Sequence, residues 1–104
     1  MEKFIFVYIP CAKEEEAEKI ALLLLEKRLI ACANTFPVKS FYRWKGKLEK
    51  DVECVLLVKT LDTAFDTIAD VVKKEHSYEL ACITKFDAQP EKDFFAWVQK
   101  QVNV

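Results

Sequence analysis

Two segments of this chain carry apolar side chains on both of their faces. They are KFIFVYI, from Lys3 to Ile9, and VECVLLVKT, from Val52 to Thr60. Both are rich in β-branched and aromatic residues, and Pro10 bounds the first, so both read as strands. Successive residues of a strand point to opposite sides. In the first segment Phe4, Phe6 and Tyr8 oppose Ile5, Val7 and Ile9; in the second Cys54, Leu56 and Val58 oppose Val55 and Leu57. Strands of this pattern need cover on both sides of their sheet.

The intervening segments cover one side. Lys13 to Arg28 reads as a helix. Glu14, Glu15 and Glu16 in its first turn, and Lys27 and Arg28 in its last, complement the helix dipole. Ala17, Ile20, Ala21, Leu24 and Leu25 recur at helical spacing and form the packing stripe. Leu29 to Trp44 reads as a long extended stretch, with Pro37 at a bulge or an outer edge because it lacks a donor. Gly46 is the only glycine and falls where the chain must reverse, a place that rewards tolerance of positive φ. Leu61 to Lys74 reads as a second helix, capped by Thr60 or Asp62, with Leu61, Phe65, Ile68 and Val72 along one face. Ala81 to Phe86 reads as a short fourth strand. Pro90 then opens a third helix that carries Asp93 in its first turn, then Phe94, Phe95, Trp97 and Val98.

The order β-α-β-β-α-β plus a final helix predicts the α+β class: a ferredoxin-like sandwich with both main helices on one face. The 104 residues make one domain, 1–104, of ordinary size. The other face of the sheet is left apolar, and soluble monomers rarely expose a patch of that size. The third helix is too short to cover it all. The sequence therefore predicts a symmetric homo-oligomer.

Composition excludes several classes. Lys plus Arg is 16 against 17 for Asp plus Glu, a formal net charge of -1, so nothing steers the chain broadly toward nucleic acid or an anionic membrane. No run reaches the ~20 apolar residues needed to span a bilayer. The first apolar segment is short, lacks a basic leader and runs into an acidic helix start, so no signal peptide is expected. Cys11, Cys32, Cys54 and Cys82 show neither C-x-x-C nor zinc-type spacing. They are expected as free thiols in a cytoplasmic protein.

The run AEKIALLLLEKRLIACAN, from Ala17 to Asn34, resembles the signature of the CutA divalent-cation tolerance family, as does FYRWKGKLEKDVECVLLVKT, from Phe41 to Thr60. HSYE at His76 to Glu79 is similar to that family's HPYE element, and DFFAWV to its terminal aromatic helix. The resemblance runs in order along nearly the whole chain. It implies a ferredoxin-like protomer in a homotrimer, with sheets inward and helices outward as in PII signal-transduction proteins. It also implies a role in tolerance of copper and other divalent metals, Cu(II) binding, and no established enzymatic activity. The chain departs from the family at Ser77 and Ala81, where prolines are usual, at Cys82, at Glu75, and at Ile9, where some members carry a cysteine.

His76 is the only histidine. Copper(II) favours imidazole with several further donors. Besides His76, the chain offers Glu75 or Glu79 as carboxylates and Cys32 or Cys82 as thiolates. That set predicts weak binding of copper(II) or another divalent cation, dependent on His76, with no cofactor required. His76 also suits a helix C-terminus, where the dipole favours it, and Cys32 suits a closely packed small residue. Tyr42, Arg43, Trp44 and Lys45, with Lys59 and Tyr78, mix aromatics and cations. They fit an anionic small-molecule pocket or an aromatic anchor between subunits, where such residues are enriched.

An RNA-recognition module of the same topology needs exposed aromatics on its central strands, and VECVLLVKT has none. A phosphate-handling hydrolase needs an anion-binding loop after the first strand, and IPCAKEEE supplies acids. The sequence thus predicts a non-enzymatic binding or signalling protein in metal homeostasis, open to a further protein partner. The alternative is a small-molecule regulator, or weak chemistry at an inter-subunit cleft around His76, Tyr78 and Cys32.

Overall fold

The computed structural model describes residues 2–103. Their elements are β1 (Phe4–Cys11), α1 (Glu14–Glu26), β2 (Cys32–Trp44), β3 (Lys47–Leu61), a 3-10 turn (Asp62–Ala64), α2 (Phe65–Glu75), β4 (Thr84–Asp87) and α3 (Lys92–Gln101). The strands form one sheet in the order β2-β3-β1-β4, with every pairing antiparallel. This is the ferredoxin-like arrangement expected.

Register separates the two faces. Ile5, Val7 and Ile9 pair with Thr60, Val58 and Leu56, and all six are buried. Ala17, Ile20, Ala21 and Leu24 of α1 and Ile68 and Val72 of α2 join the same core. On the other face Phe6, Tyr8, Leu57 and Lys59 are only half-buried, and Phe86 of β4 stacks on Phe6 at 5.5 Å. The C-terminal α3 sets Phe94 against Phe4 at 6.1 Å, so it covers the start of β1, while no helix lies over the half-buried middle of that face.

Several boundaries differ from the sequence reading. Helix α1 stops at Glu26, and Arg28 adopts φ 59°. The Leu29 N–H donates to the Leu24 carbonyl at 3.0 Å and the Arg28 N–H to that of Leu25 at 3.0 Å, the Schellman closure of a helix end. Lys27 and Arg28 therefore follow the helix, and Leu25 is 38% exposed beside a narrower buried stripe. Thr60 does not cap α2. Its Oγ1 donates to the Leu29 carbonyl at 2.6 Å, and Asp62 instead takes the Lys85 ammonium at 2.6 Å; a 3-10 turn leads into α2 with no side-chain cap. Helix α3 starts after Glu91, whose carboxylate accepts the N–H groups of Asp93 and Phe94 at 2.9 and 3.1 Å, so Pro90 lies just outside it. Strand β4 begins at Thr84, because 76–83 rounds the end of β1 before pairing starts at Tyr8.

The largest difference is the length of β3. It begins at Lys47, but β1 pairs with it only from Cys54 onward. Lys47–Glu53 and Val38–Trp44 therefore project as a two-stranded arm, and the molecule measures 45 × 24 × 20 Å. Lys45 and Gly46 turn the tip with φ of 51° and 80°, the left-handed pair a two-residue hairpin requires. Pro37 lies on β2, the edge strand, as its missing donor demands.

Candidate functional site

Helix α2 ends on His76, whose backbone N–H donates to Val72 at 2.8 Å. Its imidazole turns inward and is buried. Nε2 stands 2.8 Å from the Pro10 carbonyl, and Nδ1 accepts the Tyr78 N–H at 3.1 Å. A carbonyl can only accept and an N–H only donate, so the partners fix a neutral ring protonated at Nε2. His76 thereby ties the end of α2 to the end of β1.

Glu16, in the first turn of α1, closes the same junction. Oε1 accepts the Ala12 N–H at 2.9 Å and Oε2 the Ser77 N–H at 2.8 Å. Burial works against its ionisation, but the Ala12 and Ser77 donors outweigh it and hold the carboxyl below its ordinary value of 4.5. Cys11 completes the group: its Sγ, a Glu16 oxygen and a His76 nitrogen lie within 4.8 Å of one another. Burial, then the charges of Glu16, Cys54 and Glu53, push the Cys11 thiol up to about 12.

This group does not fit a divalent cation as it stands. A metal needs a free imidazole lone pair, and that of Nδ1 is taken by the Tyr78 N–H. It needs a thiolate, and burial with the neighbouring acids favours the protonated thiol, whose proton a cation would have to displace. Each Glu16 oxygen accepts one main-chain donor and keeps a second lone pair. The three residues make a structural clasp.

Past the clasp, 76–83 passes under the arm and closes a cleft of about 430 Å³ lined by Pro10, Tyr42, Trp44, Glu53, Tyr78, Glu79 and Cys82, among others. Tyr78 donates its hydroxyl to Glu53 Oε2 at 2.6 Å, and Tyr42 donates to Asp51. Burial and then Glu53 raise the Tyr78 phenol; the hydrogen bond to Asp51 leads in pushing Tyr42 up to about 12. Both phenols stay neutral donors. The Tyr78 ring lies 4.7 Å from that of His76, so the clasp positions one wall of the cleft.

The structure divides the predicted residues. Tyr42, Trp44, Tyr78, Glu79 and Cys82 gather in the cleft. His76 lies behind it in the clasp. Cys32 sits at the start of β2, paired with Lys59, and neither lines the cleft. His76, Cys32, Cys82 and Glu79 thus share no single group; among the described residues the donor cluster around His76 is Cys11 and Glu16. Sequence reading missed Glu53, although an acid inside the apolar run VECVLL was a signal. It also assigned Glu16 only to the helix dipole.

A four-stranded antiparallel sheet in the order β2-β3-β1-β4, with α1 and α2 on one side and a cleft under a long hairpin, defines a ferredoxin-like α+β protein. The model of the CutA1 divalent ion tolerance protein family matches residues 5–101. The chain belongs to the CutA1 family. It is 44% identical over 98 residues to the divalent-cation tolerance protein CutA of Archaeoglobus fulgidus, covering 93% of this chain and 96% of that one. It is 35% identical over 95 residues to human protein CutA, covering 89% of this chain and 53% of the human one. The solved structure of the Archaeoglobus fulgidus protein, described as periplasmic, superposes with a TM-score of 0.94 at 42% identity over 96% of this chain and 99% of that one. No helix among the described residues is long and apolar enough to cross a membrane.

Proposed function

We propose that the chain acts in divalent-cation tolerance as a homotrimeric, non-enzymatic binding or signalling protein of the cytoplasm. The observation that carries this reading is the uncovered half of the structure. One sheet face has no helix beyond the start of β1, and the arm exposes Phe41, Leu48 and Val52 at 67%, 67% and 70%. By register these three share the arm's helix-side face, with Tyr42 and Trp44 on the other. A two-stranded ribbon is marginal alone in water. Neighbouring copies supply the missing cover when sheets face inward and each arm lies on the next chain. Sedimentation equilibrium at micromolar concentration tests this: three times the 12.1 kDa chain mass is expected, and a monodisperse monomer would refute it.

Copper(II) binding in this reading is weak, on the order of micromolar or poorer, because His76 must first release Tyr78 or Pro10. Isothermal titration with Cu(II) on the native chain and His76→Ala, thiols protected, checks it. Tight one-to-one binding would contradict the account. The cleft supports a second reading, in which the chain is a regulator that responds to a small molecule. About 430 Å³ is ample for a metabolite-sized ligand.

A further inference from the structure

We infer that Cys11 and Cys54 are a reversible redox pair, which hydrogen peroxide closes into a cross-strand disulfide at the root of the arm. Two of the four cysteines stand directly opposite one another: Cys11 ends β1, and its partner on the antiparallel β3 is Cys54. Strand alternation puts Cys11 on the side of Ile5, Val7 and Ile9, and Cys54 on the side of Leu56 and Val58. Both thiols therefore join the core under the helices, away from the sheet face turned to neighbouring copies.

The spacing suits a bridge. Directly opposed residues of antiparallel strands hold their Cα atoms roughly 4.5–5.5 Å apart, inside the span of roughly 4.4–6.8 Å that a disulfide closes. Their Cβ atoms start somewhat wider than a relaxed disulfide keeps them. The bridge is therefore strained and readily reduced, which marks a switch and not a permanent staple.

The two thiols take different parts. Cys11 is fully buried, whereas Cys54 is 7% exposed and lines an opening of about 300 Å³ with Lys13, Thr35 and Pro37. Peroxide meets Cys54 first. The Cys54 sulfur attacks one peroxide oxygen, the O–O bond breaks, and sulfenic acid and water result. The Cys11 sulfur then attacks the Cys54 sulfur, and the hydroxyl leaves as water with the Cys11 proton. Two thiols lose two electrons and two protons, and one peroxide becomes two waters. Burial leads in raising both thiols, so the pair answers sustained oxidant and not a brief pulse. The bridge closes the last rung between β1 and β3, next to Glu53, where the unsupported arm begins. It also sits between Pro10 and Ala12, the two main-chain contacts of the clasp.

The test holds the intact, reduced protein in hydrogen peroxide, blocks the remaining thiols, and maps tryptic peptides by mass spectrometry without reductant. A link between peptides 4–13 and 51–59 is expected, and dithiothreitol should restore both thiols. In urea the same treatment should lose this link, because Cys11–Cys32 and Cys32–Cys54 close shorter loops. Cys54→Val should abolish the link and leave Cys11 a thiol. If that variant does not fold, Cys11→Ala decides the matter, with Cys54 then passing from sulfenic to sulfinic acid. Native protein in which Cys82 is oxidised while Cys11 and Cys54 both stay thiols would overturn the inference. So would Cys54 reaching sulfinic acid beside an unreacted Cys11, or a link that forms equally well in urea.

Discussion

Glu16 carries more of this structure than its place in an acidic run announces. Its carboxylate joins α1 to the chain on either side of it, through the N–H groups of Ala12 and Ser77, and its folded pKa is depressed. The unfolded chain therefore takes up this proton more readily than the folded one. The stabilisation from Glu16 is fully present above 4.5 and is lost as pH falls through the lower folded value. Acid-unfolding profiles of the native chain and Glu16→Gln check this. The native chain should lose stability below pH 4.5 more steeply than the variant, and parallel profiles would contradict the clasp. The cysteines give a second prediction at this scale. All four are free in the structure, and titration under denaturing, non-reducing conditions should count four thiols. In the folded protein Cys82, which is exposed, should react first, and Cys11, buried and pushed up to about 12, should react last. The chemistry of His76 was half legible in the sequence. Its identity and its place after α2 were readable, but the inward turn to the Pro10 carbonyl is a contact across 66 positions, which no local pattern encodes.

The strands were the most legible elements, because their signal is an alternation that burial must answer. Ile5, Val7, Ile9, Leu56 and Val58 lie in the core shared with the helices. Val55 lies outside that core, opposite Pro10 and Phe36 in register, and is also fully buried. A charge at either kind of position is left without water or a partner. Leu56→Asp and Val55→Asp should each destabilise by about 4 kcal/mol or more, read from urea midpoints. A soluble, folded Val55→Asp chain would mean that this part of the second face tolerates water. Element ends were less legible. Thr60 looked like a helix cap, but its hydroxyl is drawn to Leu29, a long-range partner that outcompetes the local role. The arm was hidden because LEKD reads as a polar turn, whereas pairing with β2 extends it as strand.

At the scale of the whole molecule, family membership and the superposed fold agree with the sequence resemblance, and the open sheet face poses the question the fold leaves. A chain that shields one face with helices and exposes apolar residues on a projecting arm is only partly covered. On the trimer proposed above, copies of the chain would complete it, and its melting temperature should rise with protein concentration. The clasp makes a related statement about metal: with both His76 nitrogens engaged and the Cys11 thiol protonated, the assembled protein should carry no tightly held ion. Native mass spectrometry of protein purified without chelator reads subunit number and bound metal in one spectrum. The account predicts three chains and no stoichiometric metal; single chains, or one retained ion per chain, would contradict it.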